Sequence, residues 1–160
     1  MPATYDKIAT YTVPGGGASS YTFSSIPSTY TDLIIVVNFI TSPANYINFQ
    51  FNGDTGNNYS FTYLRGDGTS AVSGRASNIP VAPGATAASP GQIVAQLMNY
   101  SNTTTNKTML VRSGVASNDT RPMVDLWRNT AAVNSVTILG DSPITFSSGS
   151  TFTLYGIKAA

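Results

Sequence analysis

The sequence predicts an all-β protein, a single-domain antiparallel β-sandwich of the jelly-roll type spanning residues 1–160. Short segments rich in β-branched and aromatic residues alternate with clusters of Gly, Pro, Asn, Asp and Ser. No segment shows the apolar period of a helix. Hydrophobic residues make up 41% of the chain, enough for a core without disulfides or a structural metal. An immunoglobulin-like sandwich is the second choice, and it is disfavoured because no Cys pair flanks Trp127.

Eleven segments carry strand patterns, and no helical segment separates them, which favours antiparallel pairing. The predicted strands are 5–13, 21–26, 33–40, 46–51, 59–65, 93–100, 108–116, 123–128, 135–139, 144–146 and 151–157. Segment 33–40 is nearly continuous in apolar residues, which is typical of a central strand covered on both faces. In 46–51 and 59–65 the aromatic residues alternate with polar ones, as in strands buried on one face.

Residues 66–92 are predicted to form one long irregular loop, because they are rich in Gly, Ala, Ser and Pro. Such loops inside compact domains are commonly functional. Val72, Ile79 and Val81 are apolar residues in this loop with no place in the strand pattern, so we expect them to contact a partner. We also expect the loop to be mobile in the isolated protein and ordered against that partner.

The chain contains no His, no Cys and no Glu, so the usual general acids and bases, thiol nucleophiles and soft metal ligands are missing. The three Lys residues do not occur in a Ser-x-x-Lys motif that could replace a catalytic His. Most Asp residues lie beside Gly, Ser, Thr or Asn, where turns favour them. The sequence therefore predicts no catalytic residues, no cofactor and no enzymatic activity.

Segment 52–58 is the best candidate for a metal site, because it offers clustered carboxylate and amide oxygens of the kind that Ca²⁺ prefers. Its spacing does not match an EF-hand, and hairpin turns need the same residue types. We therefore predict a structural turn and no metal.

Trp127 and Arg128 form a second candidate pair, since an aromatic face beside a cation can stack on a sugar or anchor a partner. A single Trp in a strand is more often part of the core, and that interpretation is favoured.

Composition also limits the partners. The formal net charge is +1, only 9% of residues are charged, and the eight Lys and Arg residues are scattered, so nucleic acid is not expected. The longest apolar run, 33–37, is far shorter than the roughly 20 residues that span a bilayer, and no secretory signal is visible. We therefore expect no membrane partner and synthesis in the cytoplasm.

Four stretches of the chain together resemble a known group of proteins. They are Ile26-Pro-Ser-Thr-Tyr-Thr-Asp-Leu33, Phe51-Asn-Gly-Asp-Thr-Gly-Asn-Asn-Tyr-Ser60, Asn99-Tyr-Ser-Asn-Thr-Thr-Thr-Asn-Lys-Thr108 and Gly149-Ser-Thr-Phe-Thr-Leu-Tyr-Gly-Ile157. This pattern is similar to small virion structural proteins of tailed bacteriophages, including those of cyanobacterial and marine hosts. The resemblance covers nearly the whole chain and consists of strand and turn signatures. It implies a jelly-roll domain that serves as a capsid decoration (cement) protein or as a module of a tail fibre.

Of these two roles, capsid decoration is favoured, because the strand pattern begins near Met1 and leaves no segment for a fibre shaft. The resemblance then implies a virion protein, made in the host cytoplasm, that binds the major capsid protein as a homotrimer at local three-fold positions. The alternative is a receptor-binding module that recognises host surface glycans. Exposed aromatic residues ringed by Asp and Asn would favour the alternative, and apolar contacts on the sides of the sandwich would favour assembly.

Overall fold

The structure, a computed structural model, describes residues 4–43, 46–86, 90–115, 119–141, 143 and 145–158. These residues form fourteen strands in three antiparallel sheets. The described part of the chain has no helix, and hence none long and apolar enough to cross a membrane. The prediction of an all-β sandwich is confirmed, whereas the jelly-roll topology stays a prediction.

The strands follow the segments that the sequence predicts, with three short or inconspicuous additions. They are β1 (Tyr5–Thr12), β2 (Ser20–Phe23), β3 (Asp32–Phe39), β4 (Thr41–Ser42), β5 (Tyr46–Phe51), β6 (Tyr59–Gly66), β7 (Ala71–Ile79), β8 (Ala82–Thr86), β9 (Gly91–Met98), β10 (Lys107–Val115), β11 (Asp119–Trp127), β12 (Val136–Gly140), β13 (Thr145–Phe146) and β14 (Thr151–Ile157). Ala116 and Ile144, which the sequence places in strands, lie outside the described residues.

The largest sheet has eight strands in the order β1-β14-β3-β9-β10-β11-β6-β7. A four-stranded sheet has the order β2-β12-β5-β8, and β13 pairs with β4 in a small third sheet. The core lies where the sheets pack together, and its members are the alternate residues of each strand. They include Leu33, Ile35, Val37, Ile93, Leu97, Met109, Val111, Phe152 and Leu154 from the large sheet and Phe23, Ile47, Phe49, Phe51, Val136 and Ile138 from the smaller one.

The two main sheets differ in width, and this difference shapes the surface. With strands about 4.8 Å apart, eight strands span about 34 Å and four span about 14 Å. Strand β8 at the end of the small sheet contacts β6, β10 and β11, but β7 lies beyond it. On β6, the inward-pointing Tyr59 is buried, whereas Phe61 and Tyr63 on the same face are only half-buried. The inner face of the large sheet is therefore open at its β6–β7 end.

The prediction of an irregular loop over residues 66–92 was wrong, because β7 and β8 lie within it. Strand β7 pairs with β6 along its whole length, yet its sequence has few β-branched or aromatic residues. Since β7 is a half-exposed edge strand, it needs little apolar side chain, and the period-2 signal is correspondingly weak. Residues 87–89 of the predicted loop lie outside the described residues.

The prediction that segment 33–40 is covered on both faces was also wrong for one face. Leu33, Ile35 and Val37 are fully buried against the small sheet. Ile34 and Val36 point to the opposite face of the large sheet and are only half-buried. The apolar residues on that face have no covering layer within the described part of the chain.

Close packing of Tyr30 against β14 gives a first prediction. The Tyr30 ring lies directly on Gly156, in the space that a Cβ there would occupy. We expect Gly156→Ala to displace the ring and lower the free energy of unfolding by about 1–3 kcal/mol. Gly114→Ala in β10 is the matched control, because the nearest atom to its Cβ would be 4.0 Å away, and it should change stability by less than about 0.5 kcal/mol. Urea denaturation of both variants measures this, and equal effects would contradict the packing argument.

Candidate functional site

Two surface features could bind a partner, and β6 contributes to both. The first, which we call the edge cleft, has a volume of about 540 Å³ and opens between the β6–β7 end of the large sheet and strands β5 and β8. The second, the outer groove, lies on the opposite face of the large sheet over β6, β10 and β11 and has a volume of about 620 Å³.

The edge cleft has an aromatic side and an apolar wall. The rings of Phe61 and Tyr63 are stacked, with centroids 5.9 Å apart and planes 23° from parallel. The Tyr63 ring lies against the backbone of Gly74, where a Cβ would come within 2.6 Å of it. Glycine at this position of β7 therefore allows the ring to lie flat across the neighbouring strand. The apolar wall is formed by Ile79, Pro80, Val81, Pro83 and Ala85.

Polar groups lie around the same cleft. The buried Asn48 of β5 donates from Nδ2 to Oδ1 of Asp141 at 2.5 Å. The backbone N–H of Asp141 donates to the carbonyl of Tyr46 at 2.9 Å. Both the side chain and the backbone of Asp141 are therefore hydrogen-bonded to β5. Arg121 lies 5.6 Å from the centroid of the Tyr63 ring. Arg75 borders the cleft on β7, but it is opposite Thr62, so its side chain points to the outer face of the sheet. The cleft thus combines a fixed carboxylate, the guanidinium of Arg121 and flat aromatic faces.

The outer groove is almost entirely apolar. Leu64, Leu110 and Val124 are exposed, and Leu110 and Val124 are directly opposite each other on β10 and β11. Thr62, Gln96, Arg112 and Pro122 are among the other residues that line it. Contiguous exposed apolar residues on a soluble protein commonly mark an interaction surface.

Trp127 lies in the core and does not reach the surface. Its indole Nε1 donates to Oδ2 of Asp54 at 2.7 Å, and its ring packs against Phe51 and Tyr59. The Tyr59 hydroxyl donates to the Asp54 carbonyl and accepts from the Phe51 N–H. Asn58 also donates to the Asp54 carboxylate, and so does the Gly56 N–H. Burial raises the pKa of Asp54, but these hydrogen bonds outweigh burial and the net pKa is lowered.

This arrangement explains segment 52–58, the candidate cation site. The Asp54 carboxylate is surrounded by N–H donors, which is the environment of an anion with satisfied hydrogen bonds and not that of a metal ligand. Asn52 and Gly53 have positive φ angles, as a tight turn requires. Within the part of the chain that the structure describes, no three acidic residues lie close enough together to hold a metal ion.

Arg128 connects the turn before β6 with the end of β7. Its Nη2 donates to the carbonyls of Asn57 and Tyr59 and to Oδ1 of Asn78 at the end of β7. The side chain therefore fastens the turn before β6 to the edge strand β7.

Of the other three residues that the sequence singled out, Ile79 and Val81 both line the edge cleft. Val72 is exposed on β7, opposite Arg65, and lines neither surface. The sequence pattern put Phe61 and Tyr63 on one face of a strand, but Asn48 and Asp141 are 93 residues apart and no sequence signal joins them. Leu64, Leu110 and Val124 were not singled out, because alternation identifies a face but not whether that face is covered.

Asp125 is a carboxylic acid buried on the inner face of β11, between Met109 of β10 and Phe61 of β6. Neither carboxyl oxygen has a hydrogen-bond partner. Burial therefore raises the pKa of Asp125 well above its usual value. The nearby Lys107 is also buried, and its ammonium donates to the carbonyls of Thr105 and Thr130.

Comparison with known proteins adds no family assignment. No protein-family model matches the chain, and no curated protein is similar to it.

The hydrogen bond between Asp54 and Trp127 gives a second prediction. Asp54→Ala leaves a buried indole N–H without its acceptor, so we expect a loss of about 1–3 kcal/mol in unfolding free energy at pH 7. Since the folded-state pKa is lowered, the stabilisation is present above the unfolded pKa of about 3.9 and is lost as the pH falls through the lower folded value. Emission of the single Trp should shift to the red.

Asp67→Ala is the control for this prediction. Asp67 also accepts turn hydrogen bonds, from Thr69 and Ser70, but it lies far from the indole in sequence and contacts no core residue through them. Its replacement should leave the Trp127 emission unchanged. An unshifted emission in the Asp54 variant would contradict the proposed role of Asp54.

The buried Asp125 gives a third prediction. Because its folded-state pKa is raised, its contribution to stability is greatest below the unfolded pKa of about 3.9 and is lost as the pH rises through the folded value. Between the unfolded and folded values the loss approaches about 1.4 kcal/mol for each pH unit, and above the folded value it stops. We expect the stability of the wild type to fall relative to Asp125→Asn as the pH rises above about 4. Urea denaturation followed by circular dichroism at each pH measures the difference, and parallel pH profiles would disprove the prediction.

Proposed function

We propose that this protein is a non-enzymatic structural protein of a bacteriophage virion, a capsid decoration protein that stabilises the head lattice. The observation that carries the proposal is the outer groove, an exposed apolar surface on the side of the sandwich formed by Leu64, Leu110 and Val124. The sequence resemblance to small virion proteins of tailed phages supports the same role. The absence of His, Cys and Glu supports a protein without catalytic activity.

In this proposal the outer groove packs on the major capsid protein. Completing the burial of each of the three exposed aliphatic side chains contributes about 1 kcal/mol. A protein that binds the assembled shell better than the dissociated subunits stabilises the shell by mass action. A homotrimer on local three-fold positions would match the symmetry of its site and bind through three grooves at once.

Deletion of the gene from the phage tests this function. Particles without the protein should release their DNA at a lower temperature and should adsorb to host cells normally. If the deleted particles keep their thermal stability and lose adsorption, decoration is disproved and a receptor-binding module takes its place.

A point variant tests the groove itself and is our fourth prediction. Leu110→Lys places a charge in the groove, and we expect it to reduce binding to shells that lack the protein by at least about tenfold, which corresponds to about 1.4 kcal/mol. Ile40→Lys is the matched control. Ile40 is an isomer of leucine, lies outside the groove and is 45% exposed, compared with 40% for Leu110. Co-sedimentation with shells measures both variants. Equal binding of the two would exclude the groove as the contact surface.

A further inference from the structure

We infer that the edge cleft is a binding site for a small saccharide of one or two rings. This site lies on the other face of the large sheet from the outer groove, so it does not depend on binding to a capsid. Its volume of about 540 Å³ is within the usual range for small-molecule sites, about 300–1,000 Å³.

The aromatic side of the cleft suits the face of a sugar ring. Pyranose rings have flat apolar faces of C–H groups, which pack well on aromatic rings. Phe61 and Tyr63 point inward from the large sheet, and the narrower small sheet leaves both half-exposed. Their small interplanar angle of 23° gives the two rings nearly the same orientation over two strand positions. Gly74 keeps the neighbouring strand from crowding it.

The polar groups match the hydroxyls of a sugar. Each hydroxyl can donate one hydrogen bond and accept others, so a saccharide site needs fixed acceptors and donors close to an apolar face. Asp141 supplies a carboxylate whose position is fixed by the Asn48 side chain and by its own N–H bond to β5. Arg121 supplies a cationic donor in the same cleft.

The other cavities formed by the described residues do not offer this combination. The outer groove has exposed aliphatic side chains and no carboxylate in its lining. A surface cavity over β3 and β9 near Asn38 and Gln92 lacks charged residues and has only one aromatic residue, the buried Phe39. Of the described cavities, only the edge cleft joins adjacent aromatic faces to charged groups of both signs.

An array of immobilised neutral and acidic mono- and oligosaccharides tests the site with the full chain. We expect retention of at least one saccharide, followed by a measurable affinity in titration calorimetry. Tyr46 of β5 also lines the cleft. Tyr46→Ala and Phe61→Leu should each weaken that affinity by at least about tenfold, because they remove aromatic surface from the cleft. Asp141→Asn should weaken it as well while keeping the side-chain shape.

Tyr5→Ala is the matched control. Tyr5 is an exposed tyrosine like Tyr46, with 58% of its surface exposed compared with 46%, but it lies on β1 at the other edge of the large sheet. Its affinity should equal that of the wild type. Circular dichroism and Trp127 emission confirm that each variant is folded. Retention of no saccharide on the array would overturn the inference, and so would binding that the cleft variants leave unchanged. Neither result would affect the decoration function, which is measured on shells.

Discussion

The difference in width between the two packed sheets is the constraint that sets the surface of this protein. A covered sheet face can be filled with aliphatic and aromatic side chains. The inner faces of the central strands of the large sheet are covered and filled in this way. Four strands cannot cover eight, so the inner face is left open beside β7. The inward-pointing aromatics Phe61 and Tyr63 are exposed there as a direct consequence of topology. A sheet of equal width would have made them ordinary core residues.

A few charged side chains join the segments outside the sheets through hydrogen bonds to the backbone and to neutral side chains. Asp54 is an example, because one half-buried carboxylate orders the 52–58 turn and also accepts the indole N–H of the only Trp. Arg128 similarly uses one guanidinium to hold the same turn and the edge strand β7. These charges are satisfied by donors and acceptors within the fold. Asp125 is different, because its carboxyl group has neither a partner nor water access, and only the neutral acid suits that position.

Most strands could be predicted from the sequence, because residues such as Ile35 or Phe49 have to alternate with outward-facing neighbours wherever one face is buried. Strand β7 could not, since an edge strand with little buried surface has little apolar alternation to detect. Only part of the edge cleft could be predicted from the sequence, for a related reason. Ile79 and Val81 stand out as apolar residues in a polar segment, whereas the pairing of Asn48 with Asp141 depends on how distant strands meet. Whether an apolar face is covered, as for Ile34, also depends on tertiary packing.

The edge cleft and the outer groove share strand β6, because alternate side chains of this strand point to opposite faces of the sheet. Along β6, Phe61 and Tyr63 point toward the edge cleft, while Thr62 and Leu64 between them line the outer groove. A slip of one residue in the pairing of β6 would exchange the two sets and place aliphatic residues in the cleft. The register is fixed on one side by β11, where Tyr59 lies opposite Trp127, and this is the point at which Asp54, Tyr59 and the indole are hydrogen-bonded. The buried cluster around Trp127 therefore determines which side chains each surface presents, although it contacts no partner itself.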